Sequence, residues 1–269
     1  MASVVRTPTP TILQIGELLN SAIDDFLKAR NTIQGLGKWE AALEANNLFN
    51  LVIRDIESIV ELARVDLVLL PGANVLARAV FEISLKAAWM VQPEDPFQRE
   101  LRWLAHIEEE ARMHERLVPK IARFGGNPEF YEERGRLLRK FQEAVASKLP
   151  TDYLRLPGNP SVEQMLEGVG QRQVYPIYVL LCSFVHGTHE STWLYRQNLG
   201  SLKKHGDFVS SDDWHLPLWT CWRCLQVLGQ YVLYRLGTGA TAFISPEQCI
   251  EIEQAFNRLR EDEREPNPF

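Results

Sequence analysis

The sequence predicts an all-α fold, a single bundle of about eight to nine helices that are mostly antiparallel. Three observations support this prediction. Apolar residues recur every three to four positions over long segments, and capping residues, proline and glycine mark the ends of those segments. No segment shows the sustained two-residue alternation that is typical of a half-buried strand.

The N-terminal third of the chain contains three predicted helices. The alternating prolines of TPTPT predict a flexible lead-in over residues 1–10, because proline lacks the N–H that a helix or strand requires. Apolar periodicity then predicts a helix around residues 15–27, which ends at GLGK, and a second from about 39 to 69. Pro71 and Gly72 are expected to break the chain before a third helix over residues 75–91.

The later helices are predicted mainly from capping chemistry. Asp95, Pro96 and Gln98 fit the N-cap, first and third positions of a helix that continues to about residue 124, where a glycine pair ends it. Further helices are predicted from Asn127–Pro128 to about residue 148, at Ser161 with Gln164, over 174–185, over 216–236, and after Ser245 with Pro246 and Gln248. Residues 187–214 are predicted to lack regular structure beyond a helical turn. One domain is predicted over residues 11–261, with a flexible tail over 262–269.

Composition limits the classes of function. The chain of 269 residues carries 29 basic and 35 acidic residues, a net charge of −6, so it lacks the overall positive charge of a general nucleic-acid binder. Four cysteines, no signal peptide in MASVVRTPTPT and no uninterrupted apolar run of about 18 residues predict a cytoplasmic protein without membrane contact.

The third helix carries an unusual polar stripe. Arg78, Glu82 and Lys86 are spaced four residues apart and therefore share one narrow face of an otherwise apolar helix. Such a stripe is usually exposed to solvent. In this apolar context, however, the Arg–Glu pair has to be charge-paired and hydrogen-bonded, which makes it a candidate for holding an anionic ligand or a catalytic group. Lys86 lies near the end of the helix, where its long side chain can reach water.

A second group of polar residues ends an apolar helix in LLCSFVHGTHES. Ser183, His186 and His189 are separated by three residues each and would lie near one face if the helix continued. A histidine at a helix C-terminus is favoured in its protonated form by the helix dipole, which is a sufficient structural reason for its presence. The alternative is a general acid or base, or a metal ligand, at the mouth of a buried helix.

Two short motifs resemble a known family. R-x3-E in ARAVFEISLKAAW, followed about a hundred residues later by S-x2-H-G in YVLLCSFVHG, is similar to a family of bacterial, wholly helical domains of unknown function. The resemblance covers roughly residues 48–189. It implies that Arg78, Glu82, Ser183 and His186 converge in space, but it supplies no activity.

That family also resembles, loosely, the HEPN domains, helical bundles in which an Arg and a His spaced by four to six residues cut RNA or bind nucleotides. Arg99 and His106 have six residues between them and would lie two turns apart on one helix face. They are the alternative catalytic pair that this resemblance implies. Glu100 follows Arg99 where HEPN domains often carry Asn or His, which is a departure from their pattern.

Metal sites are not favoured by the spacing of the candidate ligands. His106, Glu110 and His114 share a helix face, but residues eight apart on a straight helix are about 12 Å apart, so only neighbouring pairs could share an ion. Cys221 and Cys224 could join His186 and His189 in a four-ligand zinc site, yet the cysteine pair lies inside a predicted apolar helix, where cysteine behaves as a small hydrophobe. We therefore predict no metal and no cofactor.

Two hypotheses of different classes follow from these motifs. In the first, the domain binds a phosphate-bearing ligand or acts as a HEPN-like ribonuclease of a bacterial defence or toxin system. Arg78 would hold a phosphate, Glu82 would orient it, and His186 would transfer a proton with Ser183 beside it. His189 and Lys86 are assigned supporting binding roles. In the second, the same residues form a structural polar network in a non-catalytic module that binds a protein partner or forms a homo-oligomer.

Overall fold

The computed structural model describes residues 7–150, 158–199, 202–205, 209–238 and 242–261, and it confirms the all-α fold class. Residues 1–6 of the lead-in predicted over 1–10, and the tail at 262–269, lie outside the described residues, while Pro10 is already the first residue of α1. Ten α-helical segments are present in the described part of the chain: α1 (Pro10–Arg30), α2 (Glu40–Val65), α3 (Leu70–Val91), α4 (Pro96–Arg123), α5 (Glu129–Ala146), α6 (Val162–Gly168), α7 (Tyr175–Val185), α8 (His215–Arg223), α9 (Gln230–Leu233) and α10 (Pro246–Glu261).

The boundary between α2 and α3 differs from the prediction. The chain breaks at Asp66, whose carboxylate accepts a hydrogen bond of 3.0 Å from the Val68 backbone N–H. Pro71 and Gly72 lie instead within the first turn of α3. Proline is tolerated there because the N–H that it lacks would have had no partner within the helix. The predicted break at Pro71 and Gly72 was therefore wrong by about one helical turn.

The predicted caps of α4 and α6 are present. Asp95 accepts a hydrogen bond of 3.0 Å from the Phe97 backbone N–H. Ser161 and Gln164 form a reciprocal capping box at the start of α6. The turn after α4 uses Gly125 at φ +76°, in the left-handed region that favours glycine.

The segment predicted as one helix over residues 216–236 is helical from residue 215 up to Gly237, whose own backbone is not helical. In this stretch α8 and α9 are separated by a π-helical segment, Cys224–Gly229, and a second π-helical segment, Tyr234–Thr238, follows α9. Gly229 allows close packing, because a Cβ atom there would lie 3.2 Å from the Phe26 ring and 3.3 Å from the Phe49 ring. Gly237, at φ +111°, ends the stretch.

Residues 187–214 contain more regular structure than predicted. A 3₁₀ helix, Glu190–Tyr195, is followed by strand β1 (Arg196–Leu199), which pairs antiparallel with strand β2 (Leu202–His205). The prediction of no regular structure was wrong here. Both strands consist mostly of polar residues, so the sequence lacks the apolar alternation that identifies a strand with one buried face.

Helix α3 occupies the centre of the fold. It packs against α2, α7 and α8, and 13 of its 22 residues are buried. Around it, the largest fully buried side chains include Trp214, Trp222, Phe26 and Phe49. The segment Leu67–Val91 is also long and apolar enough to cross a membrane by length and hydropathy alone. Core helices of soluble proteins have the same property when, like α3, they pack against several neighbours.

The start of α2 is capped by a residue that is distant in the sequence. Trp39 precedes α2 and provides no side-chain cap. Glu100 of α4, which is only 5% exposed, accepts a hydrogen bond of 2.9 Å from the Ala41 backbone N–H. Burial raises the pKa of Glu100, while the backbone hydrogen bonds from Ala41 and Glu40 oppose this shift. Glu100, the residue that departs from the HEPN pattern, therefore ties α4 to the N-terminus of α2.

We expect Glu100→Ala to lower the free energy of unfolding by about 1–3 kcal/mol, because it leaves buried backbone donors of α2 without an acceptor. Glu100→Gln keeps an acceptor oxygen and should cost less. Urea denaturation followed by circular dichroism measures both. Glu57→Ala is the control, because Glu57 forms only an exposed ion pair with Arg54. Equal losses for Glu100→Ala and Glu57→Ala would contradict the capping role.

His215 at the start of α8 is held among aromatic rings. It stacks on Trp219 with ring centroids 6.2 Å apart and meets the edge of Phe256 at 5.6 Å. Burial lowers the pKa of His215 to about 4, and the nearby charge of Arg260 acts in the same direction. The folded state therefore favours the neutral imidazole.

This shift predicts acid-sensitive stability. In the unfolded chain a histidine takes up its proton near pH 6.5, whereas folded His215 does so only near pH 4. The contribution of neutral His215 to the free energy of unfolding is therefore fully present above about pH 6.5 and is lost as the pH falls towards 4. We expect His215→Phe, which keeps the aromatic contacts, to flatten the dependence of the unfolding free energy on pH in this window. A variant profile with the wild-type slope would contradict the prediction.

Candidate functional site

Arg78 and Glu82 form an ion pair on the face of α3 that meets α7. The Nε and Nη2 atoms of Arg78 lie 3.0 and 2.9 Å from Oε1 of Glu82. The Arg78 side chain is 19% exposed and the Glu82 side chain 36% exposed. Burial opposes the charge of Arg78, but the charge of Glu82 and its hydrogen bond raise the pKa of the guanidinium. The pair therefore lies at the edge of the core, and the guanidinium of Arg78 keeps its charge.

Tyr178 of α7 covers this pair. Its ring centroid lies 5.7 Å from the guanidinium carbon of Arg78, and the ring stacks on Phe81 at 5.9 Å. The hydroxyl interacts with both Arg78 and Cys182. Burial raises the pKa of Tyr178 to about 12, helped by Cys182 and the charge of Glu82, while the hydrogen bond with Arg78 opposes the rise. The phenol is therefore neutral, and the contact with Arg78 has the character of a cation–π interaction.

Ser183, His186 and His189 lie at the C-terminal end of α7. His186 is the C-cap, and Gly187 follows it at φ +58°. The Thr188 backbone N–H donates to the Ser183 carbonyl at 3.1 Å, which is the long hydrogen bond of a Schellman motif. The structure therefore explains the glycine of S-x2-H-G, because only glycine adopts this positive-φ conformation without strain. The motif ends α7 and exposes both imidazoles.

An open depression lies at this end of α7. Its volume is about 640 Å³. It is lined by Val179, Leu180, Cys182, Ser183, His186, Thr188 and His189, a set that we call the α7 depression. The Ser183 hydroxyl donates to the Leu180 carbonyl at 2.6 Å and is thereby held against its own helix. The depression combines an apolar floor with imidazole and hydroxyl groups at its rim.

The two motifs lie on α3 and α7, and among the described residues they approach each other only through intermediate side chains. Among the described contacts, Arg78 and Glu82 reach Tyr178 and Cys182, and none joins either residue to Ser183 or His186. Tyr178, Cys182 and His186 are spaced four residues apart, so they form one row along α7 that climbs about 6 Å per step. The convergence of Arg78, Glu82, Ser183 and His186 stays a prediction. Tyr178 and Cys182 are the residues that sequence reasoning missed, although their spacing from His186 is visible in the sequence.

Lys86 of α3 and His106 of α4 lie where these two helices meet. The Lys86 ammonium is 3.8 Å from Oε2 of Glu109. The Nε2 atom of His106 is 3.9 Å from Oε1 of Glu44, and its buried Nδ1 has no hydrogen-bond partner in the described structure. Burial, and then the charge of Lys86, lower the pKa of His106. Lys86 thus contacts α4 and adds positive charge beside His106.

Arg99 makes a different set of contacts from His106. Its Nε donates to the Pro93 carbonyl at 2.6 Å and its Nη1 to the Arg235 carbonyl at 3.2 Å. Burial lowers the pKa of Arg99, and the charge of Arg235 adds to this effect. None of the described partners of Arg99 is also a described partner of His106. The alternative catalytic pair therefore shares a helix without sharing contacts.

The candidate metal-ligating residues do not come together either. In the part of the chain that the structure describes, no group of three or more His, Cys, Asp or Glu side chains is arranged to hold a metal ion. Cys221 and Cys224 are buried, and burial raises the pKa of both thiols, that of Cys224 to about 12. His186 and His189 are exposed at the end of α7.

The largest of the described grooves lies between α4 and α5 and contains none of the predicted site residues. Its volume is about 1000 Å³, and its lining includes Glu108, Glu115 and Glu143. Arg139 bridges the two helices there through Glu108, at 3.0 Å, and Glu115. These carboxylates raise the pKa of Arg139. Four glutamates and two arginines line this groove, so its net negative charge makes it the less suitable place for an anionic ligand.

Comparison with known proteins places the chain in a family. No curated protein and no solved structure matches the sequence. A family model of unknown function (DUF5677) matches residues 45–201, which is more than half of the 269 residues. The match extends from α2 to the β-hairpin and includes both the R-x3-E and the S-x2-H-G motifs. The chain therefore belongs to this family of unknown function, DUF5677.

Proposed function

We propose that the protein binds a phosphate-bearing ligand, with RNA as the first candidate, at the α7 depression and the adjoining Arg78–Glu82 pair. The observation that carries the proposal is the row Tyr178, Cys182 and His186, which connects the guanidinium on α3 with the open depression. His186 is exposed at the C-terminus of its helix, where its ring can donate a hydrogen bond to a ligand. An imidazole N–H and a guanidinium are both suitable donors to phosphate.

The contacts of Arg78 prepare it for such a role. Glu82 and the Tyr178 ring fix the guanidinium in one orientation, so little side-chain entropy remains to be lost when a ligand binds. A guanidinium has five N–H donors, and Glu82 together with the Tyr178 hydroxyl accepts only some of them. The remaining donors can reach a phosphate oxygen at the edge of the pair.

A catalytic form of the proposal assigns proton transfer to His186. In RNA cleavage of the HEPN-like kind, His186 would serve as general base or acid, Arg78 would stabilise negative charge on the phosphate, and Glu82 would orient Arg78. Ser183 would contact the ligand from the rim of the depression. Such an enzyme would fit a bacterial defence or toxin system, as the resemblance to HEPN domains implies.

A second candidate function is a non-catalytic module that binds a protein partner or a second copy of the chain. It is favoured by one specific observation, namely that Glu82 already neutralises Arg78 and Tyr178 already covers it. In this case the polar network fixes the register of α3 against α7 and needs no ligand.

We expect His186→Ala to reduce cleavage of single-stranded RNA at least tenfold, because it removes the group that transfers the proton. His106→Ala, which changes a histidine with separate contacts, should leave the rate unchanged. End-labelled RNAs of varied sequence, incubated with each protein and separated on denaturing gels, measure both rates. Absence of cleavage by the wild type across all the RNAs would count against the nuclease, and loss in His106→Ala alone would move the site to α4.

Substitutions of Arg78 separate ligand binding from a structural role. If Arg78 binds phosphate, Arg78→Gln should weaken RNA binding about tenfold while lowering the free energy of unfolding by less than about 1 kcal/mol, the usual range for a partly exposed ion pair. Fluorescence anisotropy with a labelled RNA and urea denaturation give the two values. Arg54→Gln, in an exposed Arg–Glu pair on α2, controls for the change in net charge.

The opposite pattern would support the structural network. In that case Arg78→Gln destabilises the fold by more than about 2 kcal/mol, while RNA binding is absent or unaffected. A double-mutant cycle between Arg78→Gln and Tyr178→Phe then measures the coupling across the α3–α7 interface.

A further inference from the structure

Three arginines meet at the C-terminal end of α3; none belongs to R-x3-E or S-x2-H-G, and one of them is Arg99 of the alternative catalytic pair. Arg99 and Arg102 come from α4, and Arg235 comes from the π-helical segment after α9. Each donates to a backbone carbonyl: Arg102 to Trp89, Arg235 to Val91 at 3.2 Å, and Arg99 to Pro93 at 2.6 Å. We call these three side chains the arginine cluster.

Capping of α3 accounts for only part of this arrangement. The carbonyls at a helix C-terminus carry partial negative charge and attract cations. One arginine would serve that purpose, yet three converge, and together they carry about fifteen N–H donors. The described structure provides acceptors for only some of these donors. In particular, Nη2 of Arg235 is buried without a hydrogen-bond partner among the described residues.

The positive charge of the cluster is incompletely neutralised. A carboxylate oxygen of Glu94 lies 4.0 Å from Arg235 Nη1, and the Glu94 side chain is 96% exposed. The Asp95 carboxylate acts electrostatically on Arg99 and also accepts a hydrogen bond from the Phe97 N–H at the start of α4. Burial lowers the pKa of Arg102 to about 10. Burial and the charge of Arg235 lower the pKa of Arg99. An anion at this position would relieve the repulsion.

Tyr231 adds a hydroxyl to the cluster. The positive charges of all three guanidiniums act to lower the pKa of this phenol, which places Tyr231 near the cluster. Burial still raises the pKa of Tyr231, and the hydroxyl therefore keeps its proton and can donate it in a hydrogen bond. Guanidiniums that approach from two separate elements suit a tetrahedral oxyanion, whereas a single guanidinium is enough for a planar carboxylate.

We propose that Arg99, Arg102, Arg235 and Tyr231 form a phosphate-binding site at the C-terminal end of α3. None of these residues belongs to the α7 depression or to the Arg78–Glu82 pair, so the proposal does not depend on the function proposed for them. The ligand is inorganic phosphate or the phosphomonoester of a nucleotide, because both present the same group to the cluster.

The site can be tested with inorganic phosphate and adenosine monophosphate as probes, added to the full-length protein at constant ionic strength, with chloride and acetate for comparison. We expect phosphate to raise the melting temperature of the wild type and to bind with a dissociation constant of about 1 mM or below in calorimetry. Arg99→Gln should weaken binding at least tenfold, and Tyr231→Phe several-fold. If Arg99→Gln does not fold, Tyr231→Phe still tests the site.

Two control variants make the result specific. Tyr234→Phe changes an exposed tyrosine in the same helical segment, and Arg54→Gln removes an exposed positive charge on α2. Both should bind phosphate as the wild type does. Tighter binding of adenosine monophosphate than of phosphate would identify a nucleotide site, and equal binding would identify a site for the phosphate group alone. The proposal is overturned if phosphate binds no better than chloride or acetate, or if Arg54→Gln weakens binding as much as Arg99→Gln.

Discussion

The burial of α3 is the constraint on which the rest of the structure depends. This helix is apolar over most of its surface, so neighbouring helices have to cover it on several sides, and α2, α7 and α8 do so. The few polar groups of α3 can then exist only where they meet compensating partners. Arg78 and Glu82 satisfy each other beneath Tyr178 at the α7 edge. The carbonyls at the end of the helix are satisfied by arginines from elsewhere in the chain.

This arrangement explains why charged side chains are found at two places along one apolar helix, the Arg78–Glu82 pair and the arginine cluster. Charged groups at the centre of a core require costly desolvation, whereas groups at the edge keep partial contact with water and remain available to ligands. Tyr178 contacts the Arg78–Glu82 pair. From Tyr178, a row of side chains continues through Cys182 to the exposed imidazoles at the end of α7. The arginine cluster, by contrast, combines three guanidiniums with two nearby carboxylates, those of Glu94 and Asp95. The two places differ in electrostatic character, and a ligand would meet a neutralised pair at one and excess positive charge at the other.

The sequence predicted the helices well where local chemistry determines them. The caps at Asp95 and Ser161 and the apolar faces of the helices depend on near neighbours, and the structure contains them as predicted. The boundary at Asp66 was missed because proline and glycine are tolerated in a first helical turn, so their presence does not locate the break. The hairpin was missed because polar strands lack apolar alternation. Glu100 capping α2 and Arg235 reaching α3 involve residues 59 and 144 positions apart, and no local pattern encodes such contacts. The pairing of Arg78 with Glu82 follows from their spacing, whereas the cover provided by Tyr178 depends on how α3 and α7 pack.

The π-helical segments between residues 215 and 238 determine which side chains face the end of α3. A π turn contains about one residue more than the α turn that it replaces, so each such turn rotates the following side chains by about 100° around the helix axis. Arg235 follows the π segment Cys224–Gly229 and lies within the second one, and in this register it points at the carbonyl of Val91. Deletion of one residue from this stretch would present a different side chain there, even if the rest of the sequence were unchanged. The position of a guanidinium at the end of α3 is therefore set by the length of this helix as well as by the presence of an arginine.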